Sequence, residues 1–186
     1  MIVRPERAGD ARDADAIRAV HTAAFRRDDD PGGVPVEAPL VDELRAGAEW
    51  LPRLSLVAVV GGAAVGHVVC TRGWIDGTDP TDPGRPLPHP ALGLGPLGVV
   101  PERQGDGVGS ALVHAVLGAA DARDEPLVAL LGEPRYYQRF GFVPGRDHGI
   151  GSPDPAWGDY FQVRPLAAHD PRVVGPFRYA APFAGL

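Results

Sequence analysis

Two glycine-rich segments and one aromatic run hold the residues whose types and spacing could do chemistry. Gln104-Gly-Asp-Gly-Val-Gly109 leads straight into Ser110-Ala-Leu-Val, the first turn of an amphipathic helix. Glycines ahead of a helix let the backbone approach a guest closely, and their N–H groups join the unpaired donors of the helix N-terminus. The segment therefore suits an anion such as a diphosphate, although plain turn chemistry uses the same residues. Gly93-Leu-Gly-Pro-Leu-Gly98 formally matches the dinucleotide fingerprint GxGxxG, which works only where a strand ends and a helix begins. Here the glycines precede Val99-Val100-Pro101 inside an expected strand, so an NAD-dependent oxidoreductase is the weaker reading. Tyr136, Tyr137, Phe140 and Phe142 have the spacing of a core aromatic cluster.

Composition removes several chemistries. All 18 basic residues are Arg, so a Walker phosphate loop, a lysine Schiff base and a Ser-Lys pair are excluded. With 24 acidic residues the net charge is −6, which argues against nucleic acid or an anionic membrane as partner. Cys70 is the single cysteine and lies three positions from His67, on the opposite face of a strand; none of the six His has ligand spacing, so no metal is expected. Leu54–Thr71 is uncharged, but Gly61-Gly62 at its middle and β-branched runs on both sides make it a hairpin rather than a membrane span. The lone cysteine and the absence of an apolar targeting run after Met1 predict a reducing, cytoplasmic compartment.

The elements that must position these residues follow from periodicity. Ile2–Arg4 is a short strand, and Ile17, Val20, Ala24 and Phe25 recur at helical spacing in the segment that starts at Asp13. A polar, breaker-rich loop 26–33 precedes a second helix over Ala38–Ala46, and the 54–71 hairpin follows. The proline-rich stretch 76–90 reads as a surface loop or arm, and Leu92–Val100 as a strand. Gly107–Arg123 has the apolar spacing of an amphipathic helix. A strand at Leu127–Leu131, a short helix at Pro134–Phe140 and strands at 142–143, 160–164 and 177–183 complete a mixed α/β chain, expected as one domain over 1–186.

At this point the residues resemble the GNAT superfamily of N-acetyltransferases. LGPLGVVPERQGDGVGSALV (Leu94–Val113) is similar to its motif A, with Q-x-x-G-x-G as the pyrophosphate loop, and LLGEPRYYQRFGFVPG (Leu130–Gly145) is similar to its motif B. YQRFGF also looks like arylalkylamine N-acetyltransferases, and the likeness to the YhbS-like branch extends over nearly the whole chain. The resemblance implies an acyl-CoA N-acyltransferase fold: a central twisted, mostly antiparallel sheet with a splayed strand pair and flanking helices. It also implies acetyl-CoA as cosubstrate. Backbone groups of Leu97, Gly98 and Val99 would bind the pantetheine arm and supply an oxyanion donor, and Gln104, Gly105, Asp106, Gly107, Val108, Gly109 and Ser110 would wrap the pyrophosphate. Tyr137 matches the tyrosine that faces the sulfur and can protonate the departing thiolate.

The implied reaction is direct attack of a primary amine, on a small molecule or a peptide, in a ternary complex. The other reading is an acyl-CoA-binding sensor or partner module without turnover. Two departures stand out: Asp106 occupies a position that is often basic, and the strand before Leu97 lacks the His residues of the arylalkylamine enzymes. Glu133 is the first candidate for the general base and Glu37 the second. Asp28, Asp29, Asp30 and Glu37 make the loop between the first two helices acidic, which suits a cationic acceptor. The sequence leaves the oligomeric state open, a homodimer included.

Overall fold

The computed structural model describes residues 1–27, 29–30 and 32–185. The chain order is β1 (Ile2–Pro5), α1 (Ala11–Ala24), α2 (Glu37–Ala46), β2 (Ser55–Val60), β3 (Ala63–Asp79), β4 (Asp82–Val99), α3 (Val108–Asp121), β5 (Leu127–Leu131), α4 (Pro134–Tyr137), β6 (Val143–Pro144), β7 (Ile150–Gly151), β8 (Phe161–Pro165) and β9 (Gly175–Arg178). Contacts divide it into two compact units, Met1–Cys70 with Gly95–Ala119 and Ala181–Leu186, and Thr71–Leu94 with Ala120–Ala180.

In the first unit β1, β2 and β3 are antiparallel neighbours, with Pro5 opposite Leu56 and Val57 opposite His67. Asp10 caps α1 by accepting a bond from the Arg12 N–H, which satisfies one of the donors that a helix start leaves open. The apolar stripe of α1 then buries Ile17 with Val41 of α2 and Val57 of β2. Asp13 is tied to Arg4 of β1 by bonds of 2.6 and 2.7 Å and also accepts from the Arg7 N–H, so its carboxyl is held down at about 2, chiefly by Arg4. At the end of β4 the Val100 N–H donates to the Val65 carbonyl, and Pro101 removes the next donor.

In the second unit β4 runs parallel to β5, with Leu92 opposite Val128 and Gly93 opposite Ala129; β5 is antiparallel to β8, and β8 to β6. Its core gathers Ile75, Leu127, Ile150, Phe161, Val163 and Phe177. Arg72 and Glu125 form a two-bond ion pair of 2.6 and 2.7 Å within it.

The mixed sheet with flanking helices agrees with the sequence reading, and two local expectations are corrected. The stretch 76–90 is the ends of β3 and β4, not a loop. Pro86, Pro88 and Pro90 are two apart, so their missing N–H groups all fall on one edge of the strand, and they stand exposed while Leu87 and His89 are half-buried. The last strand ends at Arg178 and is followed by a 3₁₀ turn over Ala181–Gly185, because Ala181-Pro182 starts a turn where strand alternation was expected. The two-residue β7, too short for a periodic signal, pairs with β9.

Candidate active site

The first unit holds the motif-A residues. Gly105 and Gly107 have φ of +84° and +80°, a left-handed conformation that side-chain-bearing residues avoid, and nothing lies within 4 Å of where a Cβ would stand on either. Their backbone is thus open to a guest. Val108 begins α3, so the N–H groups of Val108, Gly109 and Ser110 have no intrahelical carbonyl to meet. Gln104 steadies the turn from behind: its side-chain Nε2 donates to the Val99 carbonyl at 3.1 Å. These donors and the partial positive charge of the helix start fit a diphosphate. Asp106 does not oppose that fit strongly, because its carboxylate is exposed and 3.5 Å from the Arg103 guanidinium.

Leu97, Gly98 and Val99 form the end of β4 in the same unit. Gly98 is buried, and a Cβ there would stand 2.8 Å from His21 Nδ1. Only glycine permits that approach.

Sequence reading passed over what lies behind His21. Its Nε2 is 2.8 Å from His67 Nδ1; His67 Nε2 is 2.9 Å from Ser55 Oγ; Ser55 donates to Glu6 Oε2 at 2.6 Å; and Arg45 donates to Glu6 Oε1 at 2.7 Å. His21, His67 and Ser55 are fully buried. Strand parity explains the alignment. The Glu6 N–H bonds the Ser55 carbonyl just past β1, and Ser55 faces Val69, two residues from His67, so all three side chains share one face under α1. Burial first, and Arg45 second, push His21 down to about 4; burial pushes His67 down as well, with His21 and Arg45 adding to it. Both imidazoles are neutral at pH 7. Sequence separations of 12 to 49 residues left no local signal for this chain.

The second unit holds the motif-B residues. The Tyr137 ring packs edge-on to Tyr136 and Phe142, with centroids 4.9 and 5.7 Å apart, and lies over Gly132, where a Cβ would come within 2.4 Å of its Cε2. Burial, helped by Tyr136, raises the Tyr137 hydroxyl above the usual tyrosine value, so it stays protonated across the neutral range. Glu133 is exposed and caps α4 by accepting from the Arg135 N–H at 3.3 Å. That bond gives it a structural role.

In the loop after α1, Asp29 is bound by Arg27 at 2.8 and 3.0 Å, which offsets part of the acidic charge; Asp28 lies outside the described residues. Glu37 opens α2. Cys70 is buried, and no group of three or more metal-ligating side chains occurs among the described residues. Among those residues, too, no helix is long and apolar enough to cross a membrane.

Comparison with known proteins converges on one family. Residues 52–144 match the model of the acetyltransferase (GNAT) domain. The N-acetyltransferase YjhQ of Escherichia coli K12 is 35% identical over 177 residues, covering 93% of this chain and 90% of YjhQ. The N-acetyltransferase YhbS of the same strain is 30% identical over 156 residues and 83% of each chain. Among solved structures, E. coli YhbS in complex with CoA superposes with a TM-score of 0.78 at 28% identity, covering 98% of this chain and 91% of that one. A GNAT family acetyltransferase from Brucella melitensis in complex with acetyl-CoA gives 0.71 at 33% identity, covering 98% and 97%. With the glycine loop at the head of α3 and these matches along nearly its whole length, the chain belongs to the GNAT family of N-acetyltransferases.

Proposed function

We propose that this protein transfers the acetyl group of acetyl-CoA to a primary amine by direct attack, with both substrates bound at once. The observation that carries the reading is the 104–110 loop, whose two left-handed glycines expose backbone donors at the start of α3. The CoA and acetyl-CoA bound by the two similar solved proteins support it. In this reading Gln104, Gly105, Asp106, Gly107, Val108, Gly109 and Ser110 hold the pyrophosphate, and Leu97, Gly98 and Val99 present backbone groups to the pantetheine arm and the thioester carbonyl. Acetyl-CoA supplies the activated acetyl group. The whole chain is read as one catalytic domain, consistent with a relative aligned over 93% of it.

Tyr137 is assigned to the departing sulfur. A thiol has a pKa of about 8.5, well below a phenol that burial has raised, so complete proton transfer from Tyr137 to the thiolate is uphill. Its contribution is a hydrogen bond that strengthens as negative charge develops on sulfur. The acceptor is a primary amine of a small molecule or peptide, attracted by the acidic residues around Asp29, Asp30 and Glu37.

The test is thermal unfolding with acetyl-CoA, CoA and NADH. A ligand present at 100 times its Kd adds about 2.7 kcal/mol if it binds only the folded chain. Acetyl-CoA and CoA are expected to raise the Tm and NADH to leave it unchanged. Stabilisation by NADH alone would overturn the assignment, and stabilisation by CoA without thiol release across a panel of primary amines would favour the sensor reading.

A further inference from the structure

The buried chain running from His21 to Glu6 has a direction. Glu6 faces Arg45 with one oxygen and Ser55 with the other, and as a carboxylate it only accepts. Ser55 therefore gives its proton to Glu6 and accepts from His67 Nε2–H. Neutral His67 is left with a lone pair on Nδ1, which accepts from His21 Nε2–H. Neutral His21 is left with a lone pair on Nδ1, an atom that is buried and has no hydrogen-bond partner among the described residues. A buried acceptor without a partner is costly, and this one stands at the open end of the chain. His21 Nδ1 lies beside Gly98, where an added Cβ would stand 2.8 Å from it; Gly98 is one of the three β4 residues read above as the thioester-binding stretch.

We propose that His21 Nδ1 is the general base of the transfer and that His67, Ser55 and Glu6 form its proton relay. The inference rests on the acetyl-CoA reading above. As the C–N bond forms and the C–S electron pair leaves with sulfur, the attacking nitrogen sheds one proton to His21 Nδ1. His21 Nε2–H passes to His67 Nδ1, His67 Nε2–H to Ser55 Oγ, and the Ser55 proton to Glu6 Oε2. One proton enters at His21 and one carboxylate is neutralised at Glu6. No buried imidazolium accumulates beside Arg45, and Glu6, 9% exposed, returns the proton to solvent. In this proposal the attacking nitrogen stands at His21 Nδ1, beside Gly98; the other three are positioning and relay residues. The relay supplies the base that the β4 strand itself lacks.

Glu6→Gln reverses the chain. Arg45 still donates to the amide oxygen, so the amide NH₂ faces Ser55. Ser55 must then donate to His67 Nε2, His67 Nδ1–H to His21, and the His21 proton moves to Nδ1. ¹⁵N NMR of the histidine-labelled full chain at pH 7.5 is expected to show both residues as Nε2–H tautomers in the wild type and as Nδ1–H tautomers in E6Q. A proton on His21 Nδ1 in the wild type, or an unchanged tautomer in E6Q, overturns the relay.

Initial rates with acetyl-CoA and n-butylamine as the probe acceptor give the kinetic arm. E6Q, and Ser55→Ala as a second interruption, are each expected to lower kcat by about 100-fold with the KM for acetyl-CoA unchanged. Acetyl-CoA-induced stabilisation shows that each variant is folded. Variants that are stabilised by acetyl-CoA and turn over like the wild type overturn the relay while leaving the family reading intact. A wild type that acetyl-CoA fails to stabilise overturns the cosubstrate reading first, and the relay with it.

Discussion

The loop at 104–110 and the strand end at Gly98 belong to the same unit and both depend on glycine, for opposite reasons. Around Gly105 and Gly107 nothing lies within 4 Å of an added Cβ, and the backbone is turned left-handed to expose its donors. At Gly98 the space is filled by His21, whose Nδ1 would be 2.8 Å from a Cβ. One region leaves its backbone open to solvent. The other brings a buried side chain against the backbone. Glycine in the first leaves backbone donors exposed, and in the second is a packing condition for a titratable group.

Substitutions can break or sharpen that contrast. The largest effect is expected outside both regions, at the sulfur: Tyr137→Phe should lower kcat by about 100-fold while the acetyl-CoA Kd changes less than threefold. Equal losses in both would place Tyr137 in binding rather than in the chemical step. Next comes the glycine pair. Gly98→Ala should destabilise the fold by about 1–3 kcal/mol, seen as a lower midpoint in urea, because overpacking displaces His21. Gly107→Ala should weaken acetyl-CoA about tenfold, or about 1.4 kcal/mol, through a strained φ and a methyl group on the exposed face. If Gly98→Ala instead altered only acetyl-CoA affinity, the contrast between the two regions would fail.

The pH dependence of stability has a definite sign. His21 and His67 have folded pKa values below the ordinary value of about 6.5, so the unfolded chain binds more protons than the folded one as the solution is acidified. Their contribution is complete above about pH 6.5 and declines as the pH falls toward 4. Each histidine adds a slope of up to about 1.4 kcal/mol per pH unit in that window. Urea titrations from pH 7.5 to 4.5 should show the decline, and replacing His67 with Gln should flatten it. The smallest effect belongs to Asp106: exposed and paired with Arg103, it should shift the acetyl-CoA Kd by less than about twofold when changed to Asn.

How much of this was legible in the sequence depended on distance along the chain. The 104–110 loop, α3 and Tyr137 lie within a few dozen residues and announce themselves by spacing, and Asp13 ahead of an apolar stripe places α1 to within two or three residues. The ends of β3 and β4 look like loop in the sequence because Pro86, Pro88 and Pro90 are strand breakers, whereas their period of two keeps them on one edge. The relay was illegible for a stronger reason. Glu6, His21, Ser55 and His67 come from four different elements or their margins: strand register aligns Glu6, Ser55 and His67, and α1 brings His21 to them. Glu133 stands at a strand-to-helix turn and accepts the Arg135 N–H bond that caps α4, a bond that the turn position alone suggests.

The most direct measurement of the central claim is product analysis after mixing the purified protein, acetyl-CoA and a panel of primary amines. The chain has no lysine, so the protein itself offers only its N-terminal amine as a competing acceptor. Mass spectrometry is expected to find one acetylated amine for each CoA thiol released, with no acetylated protein preceding it in a rapid quench. Thiol release without acetylated amine, or an acetyl group carried first on the protein, would contradict direct transfer.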